Sequence, residues 1–190
     1  TLYCSLSICK PFKFMNIIVI GTGMYSTGRG TEGYGTVLPA VNEWFRNKKH
    51  KSKVLFVGTN GMHSNEAKLK AEKLSLDSNV ELDISFLPAN NVVDRHAYLS
   101  AIKELPRPAC AIVVVPDHLH YQVTYDCLME DLPVLVVKPL TPSVKEGMKL
   151  VKLAEERSLY AAVEFHKRWD KANLMIRDRV QKGDLGELLY

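Results

Sequence analysis

The chain has 190 residues, of which 46% are hydrophobic and 24% are charged, as is ordinary for a globular protein. This length suits the core of one domain and is short for two complete domains. The net charge of +4 is mildly basic, which suits an anionic small molecule and falls short of a nucleic-acid binder. The composition therefore favours a phosphate-bearing cofactor over DNA.

Cysteine spacing and hydropathy exclude further classes. Cys4, Cys9, Cys110 and Cys127 form no CxxC or Cys/His pattern, so neither a metal site nor a disulfide framework is predicted. Two of them lie in apolar segments, where thiols act as small core residues. No apolar run approaches the ~18 residues of a membrane span. We therefore expect a cytoplasmic protein with no membrane partner.

Short apolar runs alternate with longer amphipathic stretches along the chain. The apolar runs are typical of buried parallel strands, and the amphipathic stretches are typical of helices. Six strands are predicted, at Ile17–Ile20, Val54–Val57, Leu82–Leu87, Ala111–Val115, Val134–Val137 and Ala161–Phe165. Six helices are predicted, at Val37–Asn47, Ser64–Leu74, Asp94–Leu105, Leu119–Glu130, Val144–Arg157 and about Asp170–Gln181. Two helix starts are marked by Asp117 as a cap after Pro116 and by the capping-box spacing of Ser143 and Glu146.

The strict alternation of strand and helix predicts an α/β fold with a parallel, doubly wound sheet. Parallel neighbours need crossover connections, and right-handed crossovers place helices on both faces of the sheet. Six strands suit an open sheet, whereas a closed barrel would need eight.

Three segments are expected in the domain organisation. Residues 1–14 precede Met15 and the first strand, and we interpret them as a disordered or non-native leader. Residues 15–169 form the predicted dinucleotide-binding domain. Residues 170–190 are expected to begin a truncated C-terminal substrate domain, because another strand starts near Leu188–Tyr190.

A glycine turn follows the first predicted strand directly, in the sequence Gly21-Thr22-Gly23-Met24. The first glycine permits a tight turn, and the second lets the backbone approach a pyrophosphate. A strand running into G-x-G predicts dinucleotide binding by these four residues. The alternative is a structural turn without a ligand.

The third glycine of the usual pattern is displaced. In the short form it would fall at Ser26, whereas the next helical pattern begins only near Gly35. We therefore align Gly35 with the third glycine, which makes Met24 to Tyr34 an insertion. This insertion either folds over the phosphates or is a surface loop without ligand contacts.

The end of the second predicted strand lacks the acidic residue that usually holds the adenosine ribose of NAD. The sequence there is Val57-Gly58-Thr59-Asn60. Thr59 and Asn60 can hydrogen-bond either cofactor, and no carboxylate repels a 2′-phosphate. The cofactor expected is NAD or NADP, with NADP slightly favoured.

Four segments together resemble the glucose–fructose oxidoreductase, inositol dehydrogenase and rhizopine-catabolism family (Gfo/Idh/MocA). They are Ile20-Gly21-Thr22-Gly23, Pro116-Asp117-His118-Leu119-His120, Val137-Lys138-Pro139-Leu140 and Glu164-Phe165-His166-Lys167-Arg168-Trp169. The resemblance extends from Met15 to Tyr190. It implies a Rossmann domain and an NAD(P)-dependent oxidoreductase of the sugar or polyol dehydrogenase type.

By this resemblance, Val115, Pro116, Asp117 and His118 border the nicotinamide side of the cofactor, with His120 as a further binding candidate. Helix capping by Asp117 and a structural hydrogen bond by His120 are the alternatives. His118 and His120 are not expected to bind a metal, because residues two apart on a helix do not face one another.

The resemblance also makes Lys138 the candidate catalytic residue, beside the nicotinamide ribose. We expect desolvation at the strand end to lower its pKa, although a snorkelling surface lysine is the alternative. The family has Glu where this chain has Val137, which weakens the expected ribose contact. A cis bond is predicted before Pro139, a further cofactor-binding candidate.

The last candidates are His166 and Arg168, where the family often has Asn or His and then Arg. Arg168 is expected either to contact the nicotinamide or a substrate oxygen, or to anchor the interdomain turn through salt bridges.

The family places its acid/base residues in a substrate domain that lies beyond this chain. The chain is therefore interpreted as the nucleotide-binding half of a dehydrogenase. It would meet a sugar or polyol substrate, and form a homo-oligomer, only when completed by that domain. A non-catalytic dinucleotide-binding or redox-sensing module and a different doubly wound domain are the alternatives.

Overall fold

Strands and helices alternate through the computed structural model, which describes residues 14–47 and 52–187. The strands are Asn16–Ile20 (β1), Val54–Val57 (β2), Ile84–Leu87 (β3), Ala109–Val113 (β4), Val134–Val137 (β5) and Ala161–Glu164 (β6). The helices are Met24–Thr27 (α1), Val37–Asn47 (α2), Gly61–Ser78 (α3), Ala97–Glu104 (α4), His120–Met129 (α5), Val144–Glu156 (α6) and Lys171–Gln181 (α7).

The six strands form one parallel sheet in the order β3-β2-β1-β4-β5-β6. This order confirms the predicted doubly wound fold. The chain first builds outward from β1 to β3 and then crosses to β4 on the other side of β1. The strand order therefore reverses between β1 and β4, and ligands of such sheets bind beyond the carboxyl ends of the strands at this point.

Helices cover the two faces of the sheet with separate apolar clusters. On one face, Ile18 and Ile20 of β1 pack in a cluster with residues of α4, α5 and α6. On the other face, Ile17 and Val19 pack with residues of α2 and α3. Every residue of β1 is buried, because this central strand is covered on both faces.

Several boundaries differ from the sequence prediction for identifiable local reasons. Helix α3 begins at Gly61 rather than Ser64, because the Asn60 side chain caps it by accepting a hydrogen bond from the Met62 amide at 2.9 Å. Helix α4 begins only at Ala97. Its predicted first residue, Asp94, instead accepts from the His96 amide at 2.8 Å and closes a turn.

The two predicted side-chain caps are wrong. A short 3₁₀ turn, Asp117–Leu119, precedes α5, and no side-chain cap bond is made at its start. Ser143 is the N-cap residue of α6, but its side chain makes no cap bond. Its carbonyl instead accepts from the Thr141 hydroxyl at 2.6 Å. In both places a tight turn before the helix replaces the capping bond that the sequence spacing suggested.

Two predictions lie outside the described residues: most of the leader at 1–14 and the strand start at Leu188–Tyr190. Within residues 14–47 and 52–187, no helix has both the length and the hydropathy that crossing a membrane requires.

Candidate functional site

The predicted site residues lie where five strands end at one edge of the sheet. The register pairs Ile20 of β1 with Val57 of β2 and Val113 of β4, and Val137 of β5 with Glu164 of β6. The residues that follow these positions are therefore neighbours along the carboxyl edge. They comprise Gly21 to Met24, Thr59 and Asn60, Val115 to His118, Lys138 and Pro139, and His166 and Arg168.

The glycine turn after β1 has no room for a side chain at its first position. Gly21 has φ +119°, and a Cβ placed there would lie 1.9 Å from the Val114 carbonyl oxygen. Its amide donates to the Val57 carbonyl at 2.7 Å. The turn is thus held between the ends of β2 and β4, and only glycine fits at this point.

The second glycine of the turn faces open space. A Cβ at Gly23 would have no heavy atom within 4 Å, so the backbone is accessible from this side. Of its two chain neighbours, Thr22 is buried and Met24 is exposed. This open front is what the close approach of a diphosphate to backbone amides requires.

The first helix begins directly after this turn, which corrects the expectation that it starts near Gly35. The one-turn helix α1 starts at Met24, and Ser26 is fully buried at the place where the short form has its third glycine. Gly35 does pack closely, but against α1: a Cβ there would lie 2.6–2.8 Å from backbone atoms of Gly28, Tyr25 and Met24. The insertion therefore begins with α1 itself, and its remaining residues, 28–34, separate α1 from α2.

The insertion lies against α3. The ammonium group of Lys70 donates to the carbonyls of Thr31 and Gly33, the latter at 2.8 Å, and the Tyr34 hydroxyl donates to the Asp77 carboxylate. Its bond to Asp77 raises the pKa of Tyr34. These bonds attach the glycine-rich segment to α3.

At the end of β2, Thr59 is exposed, whereas Asn60 is partly committed to the cap of α3. The Thr59 carbonyl accepts from the Asp94 amide at 3.0 Å. The backbone of Asp94, from the next crossover, therefore lies beside this strand end, which no local sequence signal predicted. One carboxylate oxygen of Asp94 accepts from the His96 amide.

The segment after β4 separates into an exposed part and a buried part. Pro116, Asp117 and His118 are exposed, whereas His120 is fully buried. The two ring nitrogens of His120 lie 2.5 Å from the Pro139 carbonyl oxygen and 2.8 Å from the Val115 carbonyl oxygen. His120 therefore links the turns after β4 and β5 to each other.

Lys138 lies at the expected edge, but its surroundings differ from those predicted. The residue is exposed, so the strand end does not desolvate the amine within the described part of the chain. The predicted desolvation was wrong because Lys138 is the first residue beyond β5 and faces outward. The predicted cis bond between Lys138 and Pro139 is confirmed.

After β6, His166 and Arg168 occupy a short 3₁₀ turn. The guanidinium carbon of Arg168 lies 4.6 Å from the centre of the Phe165 ring. Within residues 14–47 and 52–187 the Arg168 side chain forms no ion pair. Its stacking leaves the guanidinium donors exposed at the edge.

Two polar residues of this edge were not singled out from the sequence. Tyr25, on α1, donates to Glu164 at 3.0 Å, and its hydroxyl oxygen lies 3.1 Å from Nδ1 of His166. Glu164 was named only as part of a strand and as the first residue of a motif that carries the resemblance, with no role of its own. A glutamate closing an otherwise apolar strand, Ala161 to Val163, was the available signal.

A family model covers most of the chain. The model describes an oxidoreductase family with an NAD-binding Rossmann fold, GFO_IDH_MocA, and it matches residues 15–165. The chain belongs to this family. The resemblance inferred from the sequence motifs is therefore confirmed over residues 15–165, as is the NAD(P)-binding Rossmann type of the domain.

Named Gfo/Idh/MocA-type relatives share part of the sequence. The chain is 31% identical over 90 residues to scyllo-inositol 2-dehydrogenase (NADP(+)) of Bacillus subtilis (strain 168), covering 47% of this chain and 25% of that protein. It is 32% identical over 80 residues to inositol 2-dehydrogenase of Leifsonia xyli subsp. xyli, covering 42% and 24%. The chain thus spans about a quarter of the length of the relatives that it matches.

Solved structures agree with the fold of this Gfo/Idh/MocA domain. An NAD binding oxidoreductase from Klebsiella pneumoniae superposes with a TM-score of 0.60 at 14% identity, over 91% of this chain and 40% of that one. Biliverdin reductase from Synechocystis sp. PCC 6803, in complex with biliverdin and NADP+, gives 0.61 at 17% identity, over 88% and 43%. At these identities the likeness shows the fold alone.

The Gfo/Idh/MocA chain is compatible with a dinucleotide at its carboxyl edge. Gly21 keeps the first turn tight, Gly23 leaves its front open, and Thr59 is exposed at the end of the neighbouring strand. The exposed turn from Pro116 to His118 lies on the other side of the switch point between β1 and β4. A diphosphate at the first turn would therefore have polar groups on both sides for its two nucleoside ends.

Proposed function

We propose that this chain is the nucleotide-binding part of an NAD(P)-dependent oxidoreductase that acts on a sugar or polyol. The observation that carries the proposal is the first turn of this Gfo/Idh/MocA domain, where Gly21 fits against Val114 and Gly23 is open in front. When bound, the nicotinamide cofactor exchanges a hydride with the substrate. The inositol dehydrogenases among the relatives support a hydroxyl-rich substrate.

The proposed binding site uses one group of residues at each part of the cofactor. Backbone amides of Gly21, Thr22, Gly23 and Met24 meet the diphosphate. Thr59 and Asn60 meet the adenosine ribose. The nicotinamide end is bordered by Val115, Pro116, Asp117 and His118, with Lys138, Pro139, His166 and Arg168 beyond them. The buried His120 ring does not itself border this end; it holds the two adjacent turns together through its contacts with the Val115 and Pro139 carbonyl oxygens.

We propose NADP as the preferred cofactor. The end of β2 carries Thr59 and Asn60 and no acidic side chain, so nothing on that strand end repels a 2′-phosphate. The negative charge of Asp94 opposes this preference for NADP. The Asp94 amide donates to the Thr59 carbonyl, which holds the residue beside the end of β2. Replacing Asp94 by Asn removes one negative charge and should raise the affinity for NADPH more than that for NADH.

Residues 170–190 are proposed to begin a second domain. Helix α7 buries none of its residues and leaves Met175 and Ile176 more than half exposed. An amphipathic helix without a buried face needs a partner surface. The greater length of the relatives supports such a continuation.

A fluorescence titration of the 190-residue chain with NADH and NADPH tests the proposed function. We expect saturable binding of both, with tighter binding of NADPH. The variant Gly23→Val should abolish binding of both nucleotides, because its side chain fills the open front of the turn. Gly33→Val is the matched control, since that glycine also lacks a positive φ and meets only the Thr31 hydroxyl oxygen at 3.8 Å, but lies in the insertion. No response to either nucleotide at millimolar concentration would contradict the proposal.

The proposed role of Lys138 at the nicotinamide end has its own test. Lys138→Met should weaken binding of NADPH by about tenfold, equivalent to ~1.4 kcal/mol, because an ammonium contact to the ribose is lost. ADP lacks both the nicotinamide and its ribose, so its affinity should be unchanged. Lys145→Met, an exposed lysine on α6, is the control. If the affinity for both ligands fell equally, Lys138 would not lie at the nicotinamide end.

A further inference from the structure

Three polar side chains meet at the carboxyl edge, outside the glycine turn at residues 21–23. The Tyr25 hydroxyl donates to Oε2 of Glu164 at 3.0 Å, and Nδ1 of His166 lies 3.3 Å from Oε1 of the same carboxylate. The rings of Tyr25 and His166 are 5.9 Å apart and tilted by 54°. We call these three residues the Tyr-Glu-His cluster.

The Tyr-Glu-His cluster connects two separate parts of the chain. Tyr25 lies two residues after Gly23, whereas Glu164 is the last residue of β6 and His166 follows it. Glu164 is in register with Val137, the residue before Lys138. The cluster therefore joins the first βα turn to the strand ends that form the proposed nicotinamide end of the cleft.

The hydrogen-bond chemistry of the cluster determines which nitrogen of His166 carries the proton. The Tyr25 hydroxyl gives its single proton to Glu164, so its oxygen can only accept from Nδ1 of His166, which lies 3.1 Å away. The Glu164 carboxylate, 3.3 Å from the same nitrogen, also only accepts, so Nδ1 carries the proton. In the neutral ring the other nitrogen, Nε2, is then an acceptor. Within residues 14–47 and 52–187 no group bonds to Nε2, and the His166 side chain is 37% exposed.

Tyr25 strengthens this arrangement rather than competing with it. Burial, followed by the hydrogen bond to Glu164, raises the pKa of Tyr25, so its hydroxyl keeps its proton and remains a donor to the carboxylate. The carboxylate is only 20% exposed on its side-chain surface. Glu164 thus fixes the direction of the Tyr25 hydroxyl, and the Tyr25 oxygen in turn orients the imidazole of His166.

We propose that the Tyr-Glu-His cluster is a binding site for a neutral hydrogen-bond donor, with Nε2 of His166 as the acceptor and Tyr25 and Glu164 as positioning residues. The donor is an N–H group at the nicotinamide end of the cleft, the carboxamide of the cofactor. This inference rests on the proposed function for the identity of the donor, but the orientation of His166 is independent of it.

Nitrogen-15 NMR of the histidines in the free 190-residue chain tests the orientation. At about pH 8, where an ordinary imidazole is neutral, His166 should show a protonated Nδ1 and an unprotonated Nε2. The variant His166→Gln assigns the signals. Glu164→Leu should remove the preference for the Nδ1–H form, and Tyr25→Phe should weaken it. Tyr34→Phe is the matched control, because that hydroxyl also bonds a carboxylate but lies on the insertion.

The same signals then report the donor. ADP-ribose and NADPH are added in turn, and fluorescence confirms that NADPH is bound. A shift of the Nε2 signal toward that of a hydrogen-bonded nitrogen with NADPH, and not with ADP-ribose, identifies the carboxamide.

Two results would overturn the inference. One is a free chain in which His166 has its proton on Nε2, or in which Glu164→Leu leaves the proton distribution unchanged. The other is an Nε2 signal that does not move in any arm although nucleotide is bound. A chain that shows the predicted Nδ1–H form but binds no nucleotide would instead contradict the proposed function.

Discussion

Glycine at position 21 is required by both backbone conformation and space. Replacing it by Ala forces φ +119° on a residue with a side chain and places a Cβ 1.9 Å from the Val114 oxygen. We expect Gly21→Ala to lower the free energy of unfolding by more than about 3 kcal/mol, combining strain with displacement of β4. Urea denaturation measures the change.

Gly30 provides the matched control for this prediction. It also has a positive φ, +76°, but a Cβ there meets nothing within 4 Å. Gly30→Ala should therefore cost only about 1 kcal/mol, from backbone strain alone. Equal losses for the two variants would show that the contact with Val114 contributes nothing.

The buried thiols give a second prediction at the scale of single residues. Burial raises the pKa of Cys127 to about 12 and that of Cys110 to about 11. Both should resist alkylation in the folded chain at neutral pH and react after denaturation, because the thiolate is the reactive form. Mass spectrometry after iodoacetamide treatment locates the label. Rapid labelling of Cys127 in the folded chain would contradict its burial.

The same shift has a consequence for stability. The thiol of Cys127 titrates near 9 when unfolded and near 12 when folded, so the folded state retains its proton at higher pH. The associated stability is complete below about pH 9 and is lost as pH rises toward 12. In Cys127→Ala the alkaline loss of stability should be smaller, as measured by denaturation in this range.

The sequence predicted where the site lies in the fold, but it did not predict whether each site residue is buried or exposed. Gly21, Lys138 and His166 follow strands whose apolar runs were recognisable, so their location at one edge was predictable. The burial of His120 and the exposure of Lys138 depend on tertiary packing, which adjacent residues do not encode. Tyr25 and Glu164 meet across 139 residues of sequence, and no local pattern indicates such a pair.

At the scale of elements, long apolar patterns were predicted well and short turns were not. Helix α2 occurs with the predicted bounds, Val37–Asn47, because its apolar stripe is regular. Helix α1 has a single turn and too few residues to show any periodicity. Its start at Met24 depends on the turn at Gly23 and on the burial of Ser26.

The attachment of the insertion to α3 can be tested directly. Lys70→Met removes the ammonium group that bonds the carbonyls of Thr31 and Gly33. We expect faster hydrogen exchange of amides in residues 28–36 and little change in melting temperature, because these bonds are exposed. Lys68→Met, on the same helix, is the control, since Lys68 pairs only with exposed Glu72 at 3.8 Å. Unchanged exchange in the Lys70 variant would contradict the attachment.

At the scale of the whole molecule, the topology follows from the alternation of strands and helices. Six apolar runs, each separated by a crossover, leave few arrangements of a parallel sheet once right-handed connections are required. The order of strands then brings the ends of β1 and β4 together and defines the cleft.

The sheet should fold without the last helix. A chain ending at Trp169 keeps all six strands and loses α7, which buries no residue. We expect its melting temperature to fall by less than about 3 °C. A chain ending at Tyr160 loses β6 and Glu164 as well, and should be markedly less stable. Similar losses for both truncations would show that α7 contributes to the core.

We propose that the carboxyl edge around Gly21 and Gly23 binds the diphosphate of a nicotinamide dinucleotide. Backbone amide chemical shifts of the 190-residue chain, followed during addition of NADPH, test it most directly. We predict that the largest changes occur at residues 21–24 and 115–118. Changes confined to the opposite edge, around Lys53 and Arg107, or none at millimolar nucleotide, would contradict the claim.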